Sequence, residues 1–231
     1  MATFEIEHTE GMRWVKVTLN NETVRAEKGA LNHFVGDIVM DTPLPRPRDV
    51  LVSMVSEESP VRPRYRGTGS LYLESTLGGF HVLEMHENEP WMFSKGSYWA
   101  SESDIKLTII RERFMTSFYA GEGFFWYQTA ARGTGKVILA TQGPVEEVTL
   151  DKGRLVVAGD YVVGRTTGVK LSIRRAEESY LAHKLSGEGY ARVYEGTGRL
   201  LMCTTPYWRL SVKGSGVKDP LLTELDVLQS L

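Results

Sequence analysis

The sequence predicts an all-β protein: an antiparallel β-sandwich built from about three related β units, with a short helix at the C-terminus. One motif occurs three times, as Gly67-Thr-Gly-Ser-Leu-Tyr-Leu-Glu, Gly133-Thr-Gly-Lys-Val-Ile-Leu-Ala and Gly196-Thr-Gly-Arg-Leu-Leu-Met-Cys. Between these motifs, short runs of β-branched and aromatic residues are bounded by glycine, asparagine or aspartate. No strand alternates with a long helical pattern, which argues against a parallel α/β fold.

The three motifs mark an internal repeat. Their first glycines are 66 and 63 residues apart, and a second match follows, with Ser94-Lys-Gly-Ser-Tyr-Trp corresponding to Val157-Ala-Gly-Asp-Tyr-Val. Repeated β units of this size share sheets and a core, so they belong to one domain. We therefore predict a single domain over residues 1–213, with units near 66–120, 121–186 and 187–210.

Strands are predicted wherever apolar and polar residues alternate or a short apolar run stands between turn residues. The alternation is clear where Val15, Val17 and Leu19 flank Lys16 and Thr18, the pattern of a half-buried antiparallel strand. In chain order the predicted strands include Trp14-Val-Lys-Val-Thr-Leu, Ser70-Leu-Tyr-Leu-Glu, His81-Val-Leu-Glu-Met, Ile105-Lys-Leu-Thr-Ile-Ile, Lys136-Val-Ile-Leu-Ala, Val145-Glu-Glu-Val-Thr-Leu, Arg154-Leu-Val-Val and Val169-Lys-Leu-Ser-Ile.

Turns are predicted at the glycine and asparagine positions. Asn20-Asn21 and Asp151-Lys-Gly153 carry typical turn residues. The Gly-Thr-Gly motifs are read as glycine turns between strands, whose glycines permit positive φ or a close backbone approach. A phosphate-binding loop is excluded, since each motif precedes a strand instead of the helix N-terminus that such a loop requires.

Residues 214–231 predict a linker followed by an amphipathic helix. Gly214-Ser-Gly216 is a flexible connection, Asp219 suits the N-cap and Pro220 the first helical position. The apolar face comprises Leu221, Leu222, Leu225 and Leu228. A helix of about a dozen residues is marginal alone in water, so it must dock on its own sandwich or on another subunit.

Composition limits the classes of function. The net charge of −2 gives no reason to bind nucleic acid or an anionic membrane. Five arginines lie among prolines and are predicted to form a solvated basic loop: Arg46, Arg48, Arg62, Arg64 and Arg66. The N-terminus lacks a signal-peptide pattern and no apolar run approaches 18 residues. Nucleic acid is therefore not expected as a partner, the sequence does not support membrane contact, and a cytoplasmic location is expected.

Few residues suggest chemistry. The densest metal-ligand cluster is His81, Glu84, His86, Glu87 and Glu89. His81 and His86 are five residues apart and would lie on opposite faces of a regular strand, whereas Glu84 and His86 could share a face. Two ligands make a poor metal site without a third, so solvated polar positions are favoured over a cupin-type centre. The single cysteine, Cys203, ends an apolar run and is predicted to be buried and inert. No catalytic, cofactor-binding or metal-binding residue is assigned.

The aromatic clusters could stack bases or line a pocket, although strand aromatics more often belong to cores or subunit interfaces. They comprise Trp91, Phe93, Tyr98 and Trp99, then Phe124 to Tyr127, then Tyr207 and Trp208.

Several motifs in a specific order resemble the altered-inheritance-of-mitochondria protein 24 family. They are Val24-Arg-Ala-Glu-Lys-Gly-Ala-Leu, the tandem Gly-Thr-Gly strands, Gly121-Glu-Gly-Phe, Leu150-Asp-Lys-Gly and Val157-Ala-Gly-Asp-Tyr-Val-Val-Gly, within residues 14–209. The first unit departs from the pattern by lacking the Gly-Glu-Gly signature. The resemblance implies a β-sandwich similar to that of tryptophan RNA-binding attenuator proteins, an oligomer and no known catalytic residues. The sequence has no transit-peptide character, which favours a prokaryotic homologue.

The sequence thus favours a non-catalytic, homo-oligomeric scaffold or binding protein without a cofactor. Two alternatives stay open: a cupin-like metal-dependent enzyme using Glu84 and His86, and an RNA or small-ligand binding module suggested by the fold alone.

Overall fold

The computed structural model describes residues 2–43, 61–76, 78–115, 123–175 and 190–204. These residues form fourteen strands in two antiparallel sheets, and none of them is helical. The predicted all-β class and the antiparallel two-sheet architecture are confirmed. The predicted C-terminal linker and helix at 214–231 lie outside the described residues.

The first sheet has the order β3-β4-β2-β7-β10-β5, with β1 paired to β2 beside this path. Its strands are β1 (Thr3–Thr9), β2 (Met12–Ala26), β3 (Leu31–Asp41), β4 (Arg64–Leu73), β5 (Gly79–Met85), β7 (Tyr98–Glu102) and β10 (Gly135–Thr141). Arg13 also forms a β-bridge to Thr76 just before β5. That bridge brings the β5 side of the sheet next to β2.

The second sheet has the order β11-β14-β12-β6-β9-β8, with β13 paired to β14. Its strands are β6 (Trp91–Phe93), β8 (Lys106–Met115), β9 (Gly123–Arg132), β11 (Val145–Ala158), β12 (Val162–Thr166), β13 (Val169–Arg175) and β14 (Tyr190–Cys203). The chain crosses between the sheets repeatedly, so neither sheet is a separate chain segment.

The described residues form three apolar core clusters. One lies on the β2 and β4 side of the first sheet, one is shared by both sheets, and one lies within the second sheet. Strand β10 belongs to two of them: Ile138 packs in the first cluster, whereas Val137 and Leu139 pack in the shared one. Both faces of β10 are therefore buried, which explains its continuous apolar run.

Strand β7 pairs with β10, and a β-bulge allows β7 to contribute side chains to the same two clusters. Ile138 pairs with Ala100, but Leu139 pairs with Tyr98, so Trp99 is the extra residue. Ala100 consequently faces the first cluster and Tyr98 the shared one. Trp91, Phe93 and Tyr98 are all buried, as expected for core aromatics.

The three Gly-Thr-Gly motifs are architectural. Every one of their six glycines has positive φ, from +122° to +153°. A Cβ on the first glycine of each motif would overlap a carbonyl oxygen on a neighbouring segment, that of Asp37, Asp104 or Gly168. The repeat therefore recurs because strands approach each other too closely for any side chain at that position.

The predicted reversals at Asn20-Asn21 and Asp151-Lys-Gly153 are wrong. Both segments are bulges inside the long strands β2 and β11, each opposite a Gly-Thr-Gly motif that lies within a continuous strand. Asn21 and Lys152 have positive φ. Their N–H groups donate to the hydroxyls of Thr68 and Thr197 at 3.1 and 3.0 Å. The turn residues thus form a bulge instead of reversing the chain, and a threonine hydroxyl accepts the hydrogen bond of the extra N–H.

Candidate association surface

Among the described residues, the most exposed apolar segment is β3, at one edge of the first sheet. Six large hydrophobic side chains are exposed among the described residues, and four are on this strand. They are Phe34, Val35, Val39 and Met40, with exposed fractions of 39, 63, 66 and 52%. Soluble proteins usually protect edge strands with charge, proline or a covering segment, because an open edge recruits other chains.

The free edge of β3 is long and regular. Among the described strands, only β4 pairs with it. His33 to Asp41 pairs without interruption with Tyr72 to Arg64, whereas a register shift separates Leu31 from His33. Side chains alternate along this regular segment. Ile38 is buried in the first core cluster, so Phe34 and Met40 share the inner face while Val35 and Val39 lie on the outer one.

A groove of about 590 Å³ lies on the outer face beside β3. Its lining combines Val39 and Gly67 with polar and charged side chains from three adjacent strands, namely Asn21, Thr23, Asp37, Asp41, Arg64 and Arg66. Asp41 is directly opposite Arg64, and Val39 is opposite Arg66. Two guanidinium groups and two carboxylates therefore face one space, and their formal charges cancel.

Arg25 lies beside this groove, but its charge is directed elsewhere. Its guanidinium donates to the carbonyl oxygens of Ile105 at 3.1 Å and Ser103 at 2.9 Å. Burial, and then the like charge of Arg64, lower the pKa of Arg25. Arg25 thus secures the turn between β7 and β8, while Arg64 and Arg66 supply the cationic side of the groove.

The N-terminal end of the regular segment is held by an aromatic stack. His33 stacks on Tyr72 of β4 with ring centroids 4.4 Å apart and an interplanar angle of 9°. Its Nδ1 is 2.8 Å from Oδ1 of Asn32. The imidazole is exposed, so its remaining nitrogen is accessible at the edge of the sheet.

Arg62 corrects the prediction of a solvated basic loop. Its side chain is buried, with its Nε 3.4 Å from a Glu27 carboxylate oxygen and an Nη donating to Thr129 at 3.1 Å. The guanidinium also covers the ring of Tyr98 at 4.8 Å from the centroid. Arg64 and Arg66 are exposed, but on β4 and not in a loop. A buried cation immediately before β4 fixes the strand that supports β3.

The residues considered as metal ligands do not converge. Glu84 is exposed on β5 opposite Lys136, and His86 is exposed beyond the end of that strand. Glu89 pairs with Arg199 at 3.2 Å, and burial lowers the pKa of His81. Within the described ranges, no group of three or more histidine, cysteine, aspartate or glutamate side chains is arranged to hold a metal. Cys203 is buried, as predicted.

Sequence reasoning missed β3 altogether. The segment Phe34-Val-Gly-Asp-Ile-Val-Met does contain a signal for a strand. Its apolar residues occupy both odd and even positions, and it contains a single charged residue, Asp37. Such a pattern also fits a strand buried on both faces, as β10 shows. Only the position of β3 at the sheet edge distinguishes the two cases.

A family model matches most of the chain. The model for mitochondrial biogenesis AIM24 matches residues 4–205. The chain belongs to this family. The resemblance identified from the sequence motifs is thereby confirmed.

The chain is also similar to two individual proteins. The chain is 24% identical over 151 residues to an uncharacterised protein of Streptococcus pyogenes serotype M6, an alignment covering 64% of this chain and 60% of that protein. A crystal structure of a Streptococcus pyogenes protein superposes with a TM-score of 0.69 at 19% identity. It covers 92% of this chain and 98% of its own length, which shows a shared fold.

No helix within the described residues combines the length and apolarity needed to cross a bilayer.

Proposed function

We propose that this AIM24-family protein is a non-catalytic homo-oligomer that acts in the cytoplasm as a scaffold or binding protein. The observation that carries the proposal is the apolar edge strand β3, which pairs only with β4 among the described strands. Four exposed apolar side chains on one edge strand would favour aggregation in a monomer. In a specific assembly the same residues supply the buried apolar centre of an interface.

Native mass spectrometry of the untagged chain, purified without chelator, tests this function. We expect an oligomer without a stoichiometric extra mass at micromolar concentration. A monomeric chain under these conditions contradicts the proposal. A retained stoichiometric metal would favour the cupin-like alternative instead, and loss of that metal in Glu84→Ala would assign it.

A small-ligand binding module is the second candidate, and the groove beside β3 favours it. Arg64 and Arg66 face Asp37 and Asp41 there, an arrangement better suited to a small ligand bearing both charges than to a polyanion such as RNA. A retained organic mass that Arg66→Ser abolishes would support this function. Arg154→Ser provides the control, because Arg154 is exposed and pairs with Glu195 on the second sheet. Salt-sensitive binding of single-stranded RNA would favour the nucleic-acid alternative.

A further inference from the structure

We propose that β3 is the surface through which two copies of this chain associate, pairing antiparallel about a twofold axis at Asp37. The inference rests on the proposed oligomeric function and names its interface. Two antiparallel copies of β3 would join two first sheets into one continuous sheet. Main-chain hydrogen bonds would supply affinity and the alternating side chains would supply register.

The geometry of β3 selects the position of the axis. Residues directly opposite each other in an antiparallel pair lie on the same face, so a twofold pairing must be centred on a residue. The regular segment His33 to Asp41 has Asp37 at its midpoint. An axis there lets all nine regular residues pair, whereas any other centre leaves part of the segment unpaired.

The side chains at this register are complementary on both faces. On the outer face, Val35 lies opposite Val39 of the second copy, and His33 lies opposite its Asp41. On the inner face, Phe34 lies opposite Met40 of the second copy. All four exposed apolar residues of β3 therefore meet apolar partners, and each end of the interface joins an imidazole to a carboxylate.

A shift of the axis by one residue loses this match. Centred on Gly36, the pairing would set Val35 against Asp37 and His33 against Val39. The favoured register does bring the two Asp37 side chains together, which is unfavourable for like charges. Arg66 of each copy lines the same groove as Asp37 and is two residues from Thr68, the cross-strand partner of Asp37. The positive charge of Arg66 reduces the repulsion between the two Asp37 carboxylates. Asp37→Asn should consequently tighten the dimer several-fold.

Edge substitutions on the full-length chain provide the first test. Val39→Lys places a charge at the centre of the proposed apolar contact, and its side chain is 66% exposed, so folding should be retained. We expect the dissociation constant from sedimentation velocity to rise at least tenfold. Val156→Lys is the matched control, because Val156 is 53% exposed on β11, an edge strand of the second sheet. The dissociation constant of this variant should equal that of the wild type.

Disulfide formation tests the register and does not depend on Val39→Lys. Asp37→Cys should give a covalent dimer under mild oxidation, because cross-strand Cβ atoms are about 4.5–5.5 Å apart. Asp41→Cys alone should not, since eight residues at about 3.3 Å each hold the two cysteines roughly 26 Å apart. The double variant His33→Cys/Asp41→Cys should crosslink again. Native Cys203 is buried and does not compete.

The outcomes separate this interface from the proposed function. Loss of association in Val39→Lys together with a covalent dimer of Asp37→Cys supports both. An unchanged oligomer in Val39→Lys, or no crosslink in Asp37→Cys, overturns the β3 interface but leaves the oligomeric function standing. A monomeric wild-type chain overturns both.

Discussion

At the scale of single residues, the Gly-Thr-Gly motifs show how a repeat can reflect packing instead of chemistry. The first glycine of each motif recurs because a neighbouring carbonyl oxygen occupies the space of a side chain. Thr68 and Thr197, in the first and third motifs, lie opposite bulges, where their hydroxyls accept the N–H of Asn21 and Lys152. The motif therefore contributes to stability and gives no evidence of a ligand site.

Gly67→Ala should be strongly destabilising. The new methyl group would overlap the carbonyl oxygen of Asp37, and the φ of +145° is a region that only glycine adopts readily. We expect a loss of at least about 3 kcal/mol in the free energy of unfolding, measured by urea denaturation.

Gly96→Ala is the matched control for this substitution. Gly96 also has positive φ, at +73°, but nothing lies within 4 Å of the position that its new methyl group would take, so only the backbone strain of about 1 kcal/mol remains. Equal losses in the two variants would contradict the close-approach explanation.

The buried tyrosines predict a loss of stability at alkaline pH. Burial raises the pKa of both Tyr98 and Tyr194 to about 12, although the Tyr98 hydroxyl contacts that of Ser101 at 3.0 Å. Because the unfolded pKa is about 10, the unfolded chain releases these protons first. The contribution of each tyrosine is fully present below pH 10 and declines as pH rises toward 12.

A comparison with Tyr98→Phe isolates this effect from other alkaline titrations. Urea denaturation between pH 9 and 12 should show a shallower decline for the variant, by about 2 kcal/mol over the range. Parallel curves for the two proteins would show that Tyr98 ionises normally in the folded state.

At the scale of elements, β10 and β3 illustrate opposite uses of apolar residues. Both carry apolar side chains at consecutive positions. In β10 these residues serve two core clusters, whereas in β3 they are exposed at the edge of a sheet. Similar composition thus stabilises the fold in one strand and supplies a surface for association in the other.

Ile138→Ala should lower the free energy of unfolding by about 3 to 4 kcal/mol, since the side chain is fully buried and its removal leaves a cavity. Val156→Ala, at an exposed position, should change it by less than about 0.5 kcal/mol. Thermal or chemical denaturation of both variants measures the difference. A mild effect at position 138 would mean that β10 is not a shared central strand.

At the scale of the whole molecule, the shared core cluster makes the two sheets depend on each other. Leu139 from the first sheet and Leu201 from the second pack in the same cluster. The sheets should therefore unfold together, as one domain. Tryptophan fluorescence and far-ultraviolet circular dichroism should give superimposable urea transitions. Two separate transitions would contradict the single-domain prediction over residues 1–213.

The sequence alone determined the fold class, the family and the buried thiol of Cys203, because these depend on local periodicity and on motif order. It failed at Asn20-Asn21 and at Asp151-Lys-Gly153, where the same residue types suit a turn and a bulge, and only the opposing strand decides between them. It also placed Arg62 in solvent, whereas Glu27, Thr129 and Tyr98 surround it. The tertiary structure alone revealed β3 as an edge strand among the described residues, since exposure depends on which strands are neighbours. Pairing between distant segments leaves no local pattern in a single sequence.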